Sequence, residues 1–218
     1  MGGGNSWPRQ LERILNNTQD QWSFRVINKG SVGQDTDYLL THLPKWLQKY
    51  RPHFLLAMVG INDTFLDTFQ FQRGKFLDKF LTYNLAEWIT AGIKARVTEK
   101  KRDLLTANPD ISQLHPRTIS NLYRMIDSTT RHGAYFVAVQ YALTKTDGLK
   151  TAIKHRKVAY ISNYEIFLEL LNHYNYEDFF IDKFGGHFGH ATVFGNRVIA
   201  DNVARELLIL LRSQVQPN

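Results

Sequence analysis

The sequence contains no cysteine, which rules out disulfides, thiolate metal sites and cysteine nucleophiles together. It also lacks any apolar run approaching the ~18–20 residues that a membrane-spanning helix requires. The opening residues, Met1 to Pro8, have neither a basic start nor an apolar middle, so they do not form a signal peptide. Repeats, low-complexity tracts and obvious linkers are missing as well. What remains is the composition of an ordinary folded protein, 43% hydrophobic and only 22% charged. A length of 218 residues fits a single domain over 1–218. Basic residues outnumber acidic ones, 27 to 20, for a net charge of +7. They are scattered, and the densest group, Lys94, Arg96, Lys100, Lys101 and Arg102, reads as a solvated helix face. No nucleic-acid partner is therefore expected, and the oligomeric state is left open.

The hydrophobic pattern alternates between helical and strand-like stretches. Leu11, Ile14 and Leu15 recur at helical spacing just after Pro8. Phe24 to Asn28 is a short β-type run ending in a glycine turn at Gly30 to Gly33. Asp35 or Thr36 is placed to cap a helix bearing Leu39, Leu40, Leu43 and Leu47, and Pro52 marks its end. Phe54 to Val59 and Ala134 to Val139 are continuous apolar runs, as expected for strands buried on both faces of a parallel sheet. Val158 to Ile161 is a shorter run of the same kind. Helices are expected over Thr118–Arg131, with Leu122, Met125 and Ile126 inward, over Tyr164–Leu171 and over Gly195–Leu211. Residues from about 65 to 117 form an irregular helical insertion, with Phe76, Phe80, Leu81, Leu85 and Trp88 at helical spacing. The alternation predicts an α/β domain of three layers, α/β/α, with a parallel sheet. One feature is unusual for such a domain: the chain opens on a glycine loop and a helix, with no strand before them.

Ligands of parallel α/β sheets sit at the carboxyl ends of the strands. Three polar, glycine-bearing turns are expected to converge there: Asn28 to Gly33, Gly60 to Asp63, and Gly185 to His190. They would bring together the Gly33 amide, the Asn62 side chain and an imidazole. Amides and carboxamides are neutral donors suited to a developing oxyanion, and an imidazole suits general acid–base work. His187 and His190 lie three apart, but no third ligand has supporting spacing, so no metal is expected.

These residues resemble the SGNH/GDSL-like hydrolases over nearly the whole chain. Asn28-x-Gly30-x-x-Gly33-x-Asp35-Thr36 is similar to the family's second block, and Gly60-Ile61-Asn62-Asp63 to its third. His190 to Ala200 resembles the last block, in which the catalytic histidine stands five residues before a glycine, here Gly195. The resemblance implies a flavodoxin-like fold and an ester hydrolase that needs no cofactor. His190 would be the base, and Gly33 and Asn62 the oxyanion donors. The substrate would be a small-molecule ester, such as an O-acyl carbohydrate or lipid.

Two departures stand against that pattern. The Gly-Asp-Ser block at the end of the family's first strand is absent, so the expectation is a chain truncated at its start and inactive alone. Ser6 sits in a loop tail and Ser31 inside the second block, and neither is taken as the nucleophile. The family's acid lies three residues before its histidine, and here that position is His187. Asp182, five residues further back, is the candidate acid; the alternatives are a neutral His187 that orients His190 by accepting a hydrogen bond, and a Ser–His dyad oriented by backbone carbonyls. The alternative is a non-catalytic binding protein with the same fold.

Overall fold

A computed structural model describes residues 5–19, 21–63, 114–143, 147–156, 158–183 and 189–215. In chain order the elements are α1 (Trp7–Thr18), α2 (Thr36–Tyr50), β1 (Phe54–Ala57), α3 (Pro116–Arg131), β2 (Tyr135–Val139), α4 (Asp147–Ile153), β3 (Ala159–Ile161), α5 (Tyr164–Leu170), α6 (Tyr176–Phe179) and α7 (Val193–Val215). Most of the expected insertion, including Phe76 to Trp88 and the basic group at 94–102, lies outside the described residues.

The strands form one parallel sheet in the order β1–β2–β3. Its register pairs Phe54 with Tyr135 and Ala57 with Ala138, then Val137 with Ala159 and Val139 with Ile161. Side chains alternate across a strand, so β2 feeds two cores at once. Val137 and Val139 join Leu11, Leu15, Val203 and Leu207 on the face covered by α1 and α7. Phe136 and Ala138 join Leu43, Leu47, Leu122, Met125 and Ile126 on the face covered by α2 and α3. The domain is thus three-layered, α/β/α, as its alternating pattern implied.

Local chemistry explains the helix ends. Asp35 caps α2 by accepting from the Tyr38 N–H at 2.9 Å. That helix closes on Arg51 in the left-handed region, with φ of 43°, one residue before Pro52. Pro116 starts α3, where its missing N–H costs nothing. Two short elements went unforeseen, α4 of seven residues and α6 of four.

The run Phe24 to Asn28 differs from expectation. Trp22, Phe24 and Val26 alternate with exposed Ser23, Arg25 and Ile27, as in a half-buried strand, yet the run joins no ladder among the described residues. Its backbone is satisfied by α1 side chains instead. The Phe24 N–H donates to Asn16 Oδ1 at 2.8 Å, and its carbonyl accepts from Asn16 Nδ2 at 2.9 Å. The Val26 N–H donates to the Glu12 carboxylate at 2.6 Å. The sequence period was legible, but a pairing partner does not stand beside it among the described residues.

Leu11 has no solvent exposure and sits between α1 and the sheet. Leu11→Ala is expected to lower the unfolding free energy by about 3 kcal/mol, the cost of a cavity that the rigid sheet cannot close. Urea titration checks this; a loss under 1 kcal/mol would mean that α1 does not seal this core.

Candidate active site

Two glycine turns meet at the carboxyl end of β1. Gly33 adopts φ of +74°, a conformation costly for any residue with a side chain, and this bends the chain into the cap of α2. Asn62 Nδ2 donates to the Gln34 carbonyl at 2.7 Å, so the carboxamide bridges to the Gly33 turn. The neighbouring Asp63 carries the mechanical load. Its carboxylate is fully buried and accepts from both the Thr36 N–H (3.2 Å) and the Thr36 hydroxyl (2.6 Å). Asn121 of α3 donates to the Thr36 hydroxyl at 3.0 Å and to Asp37 at 2.7 Å. Arg117 lies 3.9 Å from Asp63 and 3.3 Å from Asp37. The loop after β1, the start of α2 and the start of α3 are thereby tied at one point. Tyr141 closes the same region from the end of β2, its hydroxyl donating to the Met58 carbonyl at 3.0 Å. Burial, and then the charge of Asp63, push its phenol well above the usual range, so it remains a donor.

The imidazole arrives on a separate loop. The chain from Phe179 to Thr192 doubles back on itself: Ile181 N–H donates to the His190 carbonyl, and Thr192 N–H to the Phe179 carbonyl, both at 2.8 Å. This stitching sets Asp182 opposite His190. One carboxylate oxygen accepts the His190 backbone N–H and the other meets His190 Nδ1, each at 2.7 Å. Gly189 makes the approach feasible. A Cβ on it would lie 1.7 Å from the Asp182 carbonyl oxygen, so only glycine passes there. The Tyr176 hydroxyl donates to that same carbonyl at 2.9 Å. Its phenol is pushed up mainly by burial and secondarily by the charge of Asp182.

This loop opens α7, which enters from the carboxyl edge of the sheet. Asn202, well inside α7, donates to the Ser162 carbonyl and to Asn163 Oδ1 just beyond the end of β3. The loop from His190 to Thr192 leads into this helix, and the start of α1 is anchored to its first turn, with Trp7 N–H donating to Asn196 Oδ1 at 3.0 Å.

A carboxylate can only accept, so the contact with Asp182 places the proton of a neutral imidazole on Nδ1 and the lone pair on Nε2. The side chains are 41% and 54% exposed, and an ion pair that wet contributes little to stability, about 0–1 kcal/mol. Its precision is better explained by what it does to the imidazole than by what it does for the fold.

Of the residues singled out from sequence, Asp182 pairs directly with His190, and Asn62 reaches the Gly33 turn. His187 lies outside the described residues. Ser6 is the N-cap residue of α1 without a capping bond, its hydroxyl buried, and Ser31 is exposed. Among the described residues no cluster of three or more His, Asp or Glu is arranged to hold a metal. Sequence reasoning saw Asp63 only as the last residue of the Gly-x-Asn-Asp turn and not as the anchor of α2, and it missed Tyr176 and Gly189. Of those two, Gly189 left a signal, as one of three glycines crowded into Gly185 to His190.

No protein-family model matches the sequence, and no curated protein matches it either. Solved structures do. A lipolytic protein of the G-D-S-L family from Desulfitobacterium hafniense superposes with a TM-score of 0.57 at 11% identity, over 93% of this chain and 88% of that one. An acetylxylan esterase from Geobacillus stearothermophilus gives 0.60 at 14% identity, over 92% and 80%. A family 3 carbohydrate esterase from Clostridium thermocellum gives 0.57 at 12% identity, over 97% and 90%. The fold is that of the SGNH/GDSL-type hydrolases.

Asp63→Ala is expected to destabilise the domain by about 3–5 kcal/mol, because Thr36 and Arg117 lose the buried carboxylate between them. Chemical denaturation measures it. A change below 1 kcal/mol would show that the three elements are held together by packing alone.

Proposed function

We propose that this domain is built to hydrolyse a carboxylic ester by serine-dependent acyl transfer, with Asp182 and His190 as its acid–base pair. The observation that carries the reading is the two-point grip of Asp182 on His190, through the backbone N–H and through Nδ1. A base needs its tautomer and its orientation set, and this contact sets both.

The steps balance without a cofactor. A serine hydroxyl attacks the ester carbonyl and its proton passes to His190 Nε2. The Gly33 N–H and the second amide hydrogen of Asn62 donate to the oxyanion. Collapse breaks the bond to the alcohol, which takes the proton back from the imidazolium. Water then attacks the acyl-serine with the same base, releasing the acid. Asp182 remains an anion throughout and steadies the imidazolium. Neither Ser6 nor Ser31 stands where a strand runs into a loop, so neither is assigned as that serine. For the substrate we favour an O-acyl carbohydrate, in keeping with the esterases that share the fold, over an ester of a lipid.

A second reading, a binding protein of the same fold without chemistry, draws on His187 standing where the family carries its acid. The Asp182 contact weighs against it, since a loop kept only for binding has no need to define the tautomer of His190.

The chain by itself is expected to show no turnover of p-nitrophenyl acetate. Extending it at the start with an apolar strand that ends in Gly-Asp-Ser should produce activity, and His190→Ala should remove it. Asp182→Asn should lower kcat/KM by ~10³–10⁴-fold, the scale seen when a triad acid is neutralised. Turnover by the unextended chain that vanishes with Ser6→Ala would relocate the nucleophile. A folded but inert extended chain would count for the binding reading.

A further inference from the structure

Asp182 is exposed, and among the described residues its carboxylate bonds to His190 alone. Its aim is therefore set by its main chain. On one side that chain is fixed, because the Ile181 N–H donates to the His190 carbonyl at 2.8 Å. On the other it runs through Lys183 to residues outside the described ones. There the hold comes from the Tyr176 hydroxyl, which donates to the Asp182 carbonyl at 2.9 Å. Gly189 closes on the same carbonyl, near enough that a Cβ would meet it at 1.7 Å.

Tyr176 can serve as a fixed point because it belongs to the same rigid piece as His190. It opens α6, where the Asn175 N–H donates to the Asp178 carboxylate at 2.9 Å. The Thr192 hydroxyl donates to the Asp178 carbonyl at 2.6 Å, and the Thr192 N–H to the Phe179 carbonyl at 2.8 Å. These bonds clasp α6 to the chain two residues after His190. Phe179 is fully buried and stacks on Phe194 of α7, with ring centroids 5.3 Å apart. The Tyr176 ring is half-buried, lies against Phe180 at 4.9 Å and carries the Lys183 ammonium 5.0 Å from its centroid. A closed circuit results: Tyr176 holds Asp182, Asp182 holds His190, and Thr192 returns the chain to α6.

We propose that Tyr176 is a positioning residue for the base: it holds the Asp182 main chain so that one carboxylate reaches both the backbone N–H and Nδ1 of His190. A phenol suits the task, because its hydroxyl sits at the end of a stiff side chain with two torsions and has a fixed reach once the ring is packed. Without that hydroxyl the Asp182 peptide is free to turn. The carboxylate then trades its two bonds to His190 for bonds to water, which its exposure permits. Nδ1 loses the acceptor that keeps its proton in place, and Nε2 is no longer held as the basic nitrogen. The hold of Tyr176 on the imidazole stands without any reading of function; its effect on rate rests on the hydrolase reading.

The test is the tautomer of His190, read from the ring-nitrogen chemical shifts of histidine-labelled protein at a pH about two units above the ordinary histidine value. The 218-residue chain should carry the His190 proton on Nδ1. Tyr176→Phe should lower the ratio of the Nδ1–H to the Nε2–H form about tenfold. Para-aminophenylalanine at that position restores a donor and should recover the ratio. Tyr123→Phe is the control: it loses an equivalent bond, to the Ala152 carbonyl at 2.8 Å, and should leave His190 unmoved. In the chain extended by the Gly-Asp-Ser strand, Tyr176→Phe should lower kcat about tenfold with KM unchanged. The proposal is overturned if folded Tyr176→Phe keeps the parent ratio, if Tyr123→Phe moves it as far, or if the parent already holds the proton on Nε2. An active extended chain whose kcat ignores Tyr176→Phe overturns it as well, and leaves the hydrolase reading intact. A tautomer shift in a chain whose extended parent is inert leaves Tyr176 as the residue that positions His190 and counts against the hydrolase reading.

Discussion

Three parallel strands cannot be joined by hairpins; every connection must leave one edge of the sheet, cross a face and return to the other. Most of the architecture depends on that constraint. It forces helices onto both faces, so the strands must be apolar on both sides, and it sends every strand-to-helix turn to the same edge. Polar residues that would be costly inside the sheet collect there, where loops and helix starts supply hydrogen-bond partners, as Thr36 does for Asp63. The connections β1–α3–β2 and β2–α4–β3 both cross on the face that α2 shares, while α7 returns on the face of α1. The Asn62 turn follows β1 for this topological reason, and its carboxamide bridges to the chain beside Gly33.

Two carboxylates at that edge illustrate how burial divides labour. Asp63 has no solvent exposure and answers to Thr36, with Asn121 and Arg117 close behind. Its charge is out of water, so it holds only while these polar neighbours stay in place, and they bind three elements into one unit. Asp182 is 41% exposed and answers to His190 and its backbone. Water screens it, so it adds little to folding, but its geometry governs where the imidazole carries its proton. The first carboxylate ties the turn after β1 to the start of α2; the second fixes the orientation of an imidazole.

Much of this was legible in the sequence, and the failures share a cause. The strands, α2 with its Asp35 cap, α3 and α7 declared themselves because each has a local signal: an apolar run, a capping residue or a 3.6-residue period. The Gly-x-Asn-Asp turn was visible for the same reason, as was the histidine five residues before Gly195. The pairing of Asp182 with His190 was only a candidate, because the distance between them depends on how the loop from Phe179 to Thr192 folds back. That in turn depends on backbone bonds and on the missing side chain of Gly189, none of which has a period. Asp63 was hidden for a related reason. Its partners lie 27 residues away at Thr36 and further off on α3, so no window along the chain reveals them.

The run Phe24 to Asn28 teaches the converse lesson. Its alternation was read correctly and survives in its burial, yet strand character is a property of a pair and not of a segment. Asn16 and Glu12 supply the hydrogen bonds that a neighbour in the sheet would have supplied. Side-chain bonds of this kind cost rotamer entropy and add no cross-strand packing, so they are a weaker solution than a ladder. The same region leaves Phe54 to Leu56 half-buried under two finished cores. A strand-patterned run tied to a helix and an apolar strand whose outer edge meets no ladder among the described residues are two sides of one geometry.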